Sequence, residues 1–311
     1  MSNPLVSICM PVYNGEKTLD ATLASIVASE YQNIEIIISD DGSTDETPEI
    51  CRRWMQKDNR ISYYPMQKNS GAVANFNCTF HLAKGKYFTW VAQDDRRHPA
   101  YIRKCVQEIE KDEGVVLCQS KIALVLHDVD NLLKYVNITP LVGLAKPVDR
   151  FLTAYRTGEE IACVAFYALI RTDTARKTRL WKNYLGSDIA FFNELSLYGK
   201  FAEVPEVLFW YFGREKVRTP EQHYKFLNPQ NHYPKFYLPF FVMAYNQAYS
   251  VLRSPLGSWK KFQALTGLFF IESGVILRKI LFYGMGKVFG TMVAKKVFQI
   301  INLKIPVPLP T

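Results

Sequence analysis

The chain has 311 residues, enough for one large domain or one and a half, and its 48% hydrophobic and 22% charged content excludes a disordered chain. The formal net charge is +9, but no nucleic-acid recognition motif accompanies it, so that class of partner is excluded. The six cysteines (Cys9, Cys51, Cys78, Cys105, Cys118, Cys163) are scattered without a C-x-x-C pair, and the five histidines form no H-x-H or H-E-x-x-H group. Free thiols in a reducing compartment and no zinc site are expected.

In chain order, Leu5 to Met10 is a short apolar run that ends in Pro11-Val12-Tyr13-Asn14. From Lys17 to Ala28, Leu19, Leu23, Ile26 and Val27 make a helical stripe. Ile34 to Ile38 is a second buried-strand candidate, and it ends in Ser39-Asp40-Asp41-Gly42-Ser43-Thr44-Asp45. Asp45 or Thr44 is expected to cap a helix that starts near Pro48. Ile61 to Tyr64 is a third strand, Asn69-Ser70-Gly71 follows, and a helix is expected over Ala72 to Leu82. The apolar run Tyr87 to Ala92 then delivers Asp94-Asp95.

Four strands alternating with three helices predict an α/β fold with a mostly parallel sheet and right-handed crossovers. All the acidic motifs then fall on one edge, where open α/β sheets bind ligands. Two adjacent carboxylates there suit Mg²⁺ or Mn²⁺ on a diphosphate. The alternative for Asp94-Asp95 is a solvated strand-to-helix turn. No G-x-G-x-x-G or Walker A sequence is present, so a bound diphosphate finds no glycine cradle and needs a metal.

These motifs, with Ala83-Lys84-Gly85, resemble the family 2 inverting glycosyltransferases of the GT-A fold over about the first 215 residues. The resemblance implies roles for individual residues. Pro11 and Tyr13 belong to the donor site, with Tyr13 against the nucleobase. Asp41 binds the uracil ring, Asp94 the ribose or donor sugar, and Asp95 the divalent metal. Structurally, Asp40, Asp41 and Asp45 have helix capping as their alternative role, and Tyr13 a place in the core. Many members carry a further Asp two positions before Asp94, where this chain has Ala92.

Further on, Ile189, Phe191, Phe192, Leu195 and Leu197 read as a buried helix ended by Gly199. Asp188 then sits in its first turn. The family places its catalytic base there, usually as Glu-Asp, and here as Ser187-Asp188. The alternative for Asp188 is complementing the helix dipole. Phe201 to Tyr211 ends the domain, and Arg214 follows as a candidate diphosphate contact or a solvent-facing residue. The Q-x-x-R-W signature of processive synthases is missing, which favours the addition of a single sugar. Trp181, Trp210 and Tyr211 are candidates for stacking on a sugar, with core packing expected for at least two of them.

The expected organisation is a catalytic domain over 1–215, an aromatic and Pro-rich joint over 216–250, and a basic amphipathic helical segment over 251–311. That last segment holds nine basic residues and one acid, Glu272, a net +8. In helical projection Lys260, Lys261, Glu272, Arg278 and Lys279 fall within an arc of roughly 120°. Leu265, Phe269, Phe270, Ile276, Leu277, Ile280 and Leu281 cover the rest of that surface. This pattern fits a helix lying on an anionic membrane surface. A helical pair packed on the domain, or a dimer contact, is the structural alternative. Phe262 to Ile271, the longest uncharged stretch, is too short to span a bilayer. No signal-peptide pattern opens the chain, so a cytoplasmic location on the membrane face is expected.

The function expected is metal-assisted transfer of one sugar from a nucleotide donor, such as a UDP-sugar, to a hydroxyl of a saccharide or lipid-linked saccharide. The alternatives are a metal-dependent sugar nucleotidyltransferase and a non-catalytic nucleotide-sugar sensor at the membrane.

Overall fold

A computed structural model of the chain describes residues 3–213, 218–230 and 239–289; within these, the side chains of 158–160, 162–163, 239–240 and 275–289 are left aside. Strands β1 (Val6–Val12), β2 (Ile34–Asp40), β3 (Ile61–Pro65) and β4 (Tyr87–Trp90) alternate with helices α1 (Leu19–Val27), α2 (Thr47–Lys57) and α3 (Ala72–Leu82). β1 lies between β2 and β4 and pairs in parallel with both, and β3 joins β2 in parallel. Every residue of β1 and β4 is buried, as strands covered on both faces require.

The chain continues through β5 (Arg96–Arg97), α4 (Tyr101–Ile109), β6 (Val115–Leu126), β7 (Asp128–Val136) and α5 (Pro147–Ala165). Then come β8 (Leu169–Arg171), α6 (Thr172–Ala175), α7 (Ser187–Ser196) and β9 (Lys200–Phe212). The sheet order is β3-β2-β1-β4-β8-β6-β9-β5, with β7 on β6. β8 runs antiparallel between β4 and β6, and β9 runs parallel to β6 with shifts in register. The sheet is thus mostly parallel, as expected, with short antiparallel insertions that the alternation of the first ninety residues did not signal.

Two apolar layers enclose the sheet. One packs Leu19, Leu23, Ile50, Tyr101, Ile102 and Val106 from α1, α2 and α4. The other packs Phe76, Phe80, Ala154, Ile161, Phe191 and Phe192 from α3, α5 and α7. Trp90 is the centre of the second layer: its ring stacks on Phe166 at 4.5 Å between centroids, and its indole N–H donates to the Phe76 carbonyl at 3.0 Å. Trp181 joins the same cluster, 4.7 Å from Phe76, which takes it away from sugar stacking. Trp210 and Tyr211 are half-buried.

Two local expectations need correction, and one alternative falls away. The α2 N-cap is Glu46, with no side-chain cap; Asp45 instead accepts the Thr47 N–H at 3.0 Å. Gly199 does not end α7, which stops at Ser196. A Cβ at Gly199 would lie 2.2 Å from Val116 Cγ1, so the glycine serves close packing. Tyr13 is 43% exposed and is no core aromatic.

Beyond β9 come α8 (Pro220–Leu227) and α9 (Pro239–Arg253), in the compact unit that ends at Pro255. α8 opens on a capping box of Thr219 and Gln222. A second unit begins at Leu256 and holds α10 (Ser258–Phe289). α10 exposes Trp259, Phe262, Phe269 and Phe270. The side chains of Arg278 and Lys279 lie outside the described residues, as do Arg214 and Cys163. The other five cysteines are free thiols. Among the described residues no helix is long and apolar enough to cross a membrane.

Arg97, 5% exposed, ties the end of β4 to the turn after α5. Its guanidinium donates to the Trp90 carbonyl at 2.8 Å, the Tyr167 carbonyl at 2.7 Å and Thr89 Oγ1 at 2.9 Å. It also lies 4.4 Å from the Tyr101 ring centroid. Arg97→Leu removes these charged donors and leaves the Trp90 and Tyr167 carbonyls to share the Thr89 hydroxyl. Chemical denaturation should show a loss of about 3 kcal/mol or more, and a loss below about 1 kcal/mol would show that the acceptors find new partners.

Candidate active site

The strand order reverses between β1 and β4, and the crevice at such a switch point lies beyond the carboxyl ends of the strands. Pro11 and Tyr13 come from the end of β1, Asp41 follows β2, and Asp94-Asp95 follows β4. The expectation of one shared acidic edge therefore holds.

The loops on that edge brace one another. Gln93 Oε1 accepts the Tyr13 N–H at 2.8 Å, and Gln93 Nε2 donates to the Tyr13 carbonyl at 3.1 Å. Asn14 takes a positive φ of 48°, which asparagine tolerates. Its N–H donates to Ser43 Oγ at 2.9 Å, and its Oδ1 accepts the Thr44 N–H at 2.9 Å. Main chain and short side chains thus hold Tyr13 at the surface with its ring exposed.

Asp41 is buried, and its two oxygens accept the N–H groups of Ser70 at 2.7 Å and Gly71 at 2.8 Å. Desolvation pushes its carboxyl up, and those two N–H groups pull it part of the way back. Gly71 has φ +93°, and a Cβ there would lie 2.5 Å from the Leu227 carbonyl oxygen. Only glycine lets the end of α8 close on this loop. Asp40, also buried, accepts from the Ser43 N–H at 2.9 Å and the Tyr63 hydroxyl at 2.7 Å. It shapes the loop from inside.

Asp95 is 1% exposed. Its Oδ1 accepts the Phe212 N–H at 3.1 Å, while its buried Oδ2 has no hydrogen-bond partner. Burial raises its carboxyl well above the ordinary range, and the charge of Asp94 raises it further; Arg97 and Arg96 only partly offset this. A solvated turn would impose no such strain, so the bland alternative fails for Asp95. Among the described residues no group of three or more His, Cys, Asp or Glu is gathered to hold a metal. An ion held here would take further ligands from beyond these described residues, as Mg²⁺ and Mn²⁺ commonly do from substrate phosphates.

Asp188 lies in the first turn of α7, after Gly186 at φ +78°. It is half-buried, and desolvation raises its carboxyl, offset in part by the Ile189 N–H and the charge of His223. Desolvation outweighs the local hydrogen bonds and the charge of His223.

Tyr167, which no motif marks, lies within electrostatic range of both acidic groups. Burial is the main cause of its raised phenol, and the charges of Tyr211, Asp95, Asp94 and Asp188 add to it. All three carboxylates therefore act on one hydroxyl, which burial and their field keep protonated. Its ring is 6.4 Å from Phe76 and 6.2 Å from Phe209 and Tyr211. Asn75 is the other residue missed. Buried on α3, it donates to the Val12 carbonyl at 3.1 Å and keeps an unpaired Oδ1.

Residues 7–177 match the family model described as Glycosyl transferase family 2. Glycosyltransferase GlyG of Streptococcus pneumoniae is 40% identical over 36% of this chain and 38% of its own length. An uncharacterized glycosyltransferase of Haemophilus influenzae is 27% identical over 67% of this chain and 65% of its own length. The chain therefore spans less than two thirds of either relative. Among solved structures, Staphylococcus aureus TarS 1–349 in complex with UDP superposes with a TM-score of 0.63 at 17% identity, covering 85% of this chain and 70% of the 1–349 chain. The mannosyltransferase PcManGT of Pyrobaculum calidifontis, in complex with GDP-Man and Mn²⁺, gives 0.51 at 15% identity over 98% and 89% of the two chains. With a family match over more than half its length and carboxylates at the switch point of a mostly parallel sheet, the chain belongs to glycosyl transferase family 2 and has the GT-A fold.

Proposed function

We propose that the protein transfers one sugar from a UDP-sugar to a hydroxyl of a saccharide or lipid-linked saccharide at a membrane surface, with inversion at the anomeric carbon. The observation that carries this reading is the orphaned, buried Oδ2 of Asp95, placed beside Asp94 on the edge that also presents Tyr13 and Asp41. A hard divalent cation suits that oxygen. The cation, Mg²⁺ or Mn²⁺, would be held by Asp95 and would offset charge on the leaving nucleoside diphosphate.

The chain's own residues do the rest. Tyr13 offers an exposed ring to the base. Asp41 faces the uracil and fixes the loop at Gly71 that borders it. Asp94 contacts the ribose or the donor sugar. Arg214, outside the described residues, reaches the diphosphate. Asp188 takes the proton of the acceptor hydroxyl as that oxygen attacks the anomeric carbon. One displacement suffices, and no nucleophilic side chain is required. Family membership favours this reading over a nucleotidyltransferase or a silent sensor.

Asp188→Asn should lower kcat by about 10²- to 10⁴-fold with donor binding intact; full activity would remove Asp188 from the mechanism. The base works only when ionised, and its carboxyl is raised. In wild type, kcat/KM should fall with decreasing pH through an apparent pKa above the ordinary carboxylate range, whereas an acid limb at the ordinary carboxylate value would contradict the role.

Asp41→Ala should weaken UDP binding and also cost about 2 kcal/mol of stability, because the Ser70 and Gly71 N–H groups lose a charged acceptor and only the Gly71 N–H keeps another, Asn69 Oδ1. Calorimetry and UDP titration of one sample test both. Unchanged UDP affinity in the variant would leave Asp41 a purely structural residue.

A further inference from the structure

The helix α9 has two faces with different tasks. At about 100° per residue, Phe241, Tyr245, Tyr249 and Leu252 fall within an arc of about 80°. They are 61%, 68%, 40% and 54% exposed. Four large apolar side chains in one stripe exceed the scattered exposure that ordinary surfaces carry. The opposite face holds Gln247, Ser250 and Val251, all fully buried.

That inner face is fastened to the helix bearing Asp188. Met243 Sδ lies 2.8 Å from where a Cβ would stand on Gly186, the residue before α7. Arg179 donates to Asn246 Oδ1 at 2.6 Å, to the Asn246 carbonyl at 2.9 Å and to Ser250 Oγ at 2.8 Å. On its other side it forms an ion pair with the buried Glu194 of α7 at 3.6 Å. Whatever covers the outer face of α9 is therefore rigidly placed relative to the proposed base.

We propose that the outer face of α9 rests on an anionic lipid bilayer, so that the catalytic unit itself docks on the membrane and takes a lipid-linked acceptor. The proposal rests on the glycosyl-transfer reading above. Three observations select the occupant. The stripe is aromatic and contains two tyrosines, the residues that favour the headgroup level. α9 contains no acidic residue, and the exposed Arg253 flanks the stripe. Of the basic residues in the chain from Val251 onward, which carries a net +8, Arg253 lies on α9 itself, and its charge complements anionic headgroups. Because none of the described helices can span a bilayer, the contact is interfacial.

The test uses the full chain in vesicle flotation. Wild type should float with vesicles containing phosphatidylglycerol and remain at the bottom with pure phosphatidylcholine. The triple variant Phe241→Ser, Tyr245→Ser, Leu252→Ser should bind at least about tenfold more weakly. In wild type, amide exchange over residues 239–253 should slow when phosphatidylglycerol vesicles are added. Unchanged flotation of the triple variant, or equal binding to both vesicle types, would overturn the proposal. So would light scattering that shows a dimer broken by the same three substitutions, which would assign the stripe to a second copy. The UDP and Mn²⁺ thermal shift is read on the same samples. Its retention in the triple variant shows an intact fold and donor site. Its absence in wild type would count against the transferase reading, independently of the vesicle result.

Discussion

The site depends on a carboxylate buried beside another carboxylate. Asp95 is almost wholly removed from water, and Asp94 raises the cost of its charge. In isolation such a group takes up a proton. A divalent cation reverses that preference, because it supplies the charge that burial and Asp94 deny. The fold gives Oδ1 a backbone donor from the end of β9 and, among the described residues, gives Oδ2 no hydrogen-bond partner.

The rest of the sheet edge maintains that position. Arg97 is the buried positive charge close to Asp95, and its donors pin the end of β4 and the turn that presents Tyr167. Gln93, the residue before Asp94, clamps the loop that carries Tyr13. Asp41 holds the loop at Gly71, and the end of α8 closes on it. Each carboxylate is thus both a candidate ligand contact and part of the scaffold. Substitutions here will mix stability with function, which is why each test needs a binding or stability readout beside activity.

The first ninety residues were legible because each element announces itself. Short apolar runs alternate with helical stripes, and each acidic motif stands where a strand ends. The sheet beyond was less legible for physical reasons. β8 has three residues and β5 two, too few for a periodic signal. β6 is long but changes register against β9, and β8 and β7 follow each other along its other edge. Arg96-Arg97 belongs to no motif singled out in the sequence, yet Arg97 is buried under Tyr101 and Phe209. Tyr167 and Asn75 have their place only through contacts distant in sequence. Asp188 was found through the family pattern and the first-turn position on α7, and its desolvation follows from packing that no local pattern encodes.

The most direct test of the central claim is thermal unfolding with UDP, with and without Mn²⁺, in wild type and in Asp95→Ala. The buried, orphaned Asp95 oxygen predicts a UDP stabilisation in wild type that requires Mn²⁺ and disappears in the variant. A UDP shift of equal size without the metal, or one that survives in Asp95→Ala, would contradict the assignment of Asp95 as the residue that joins cation and donor.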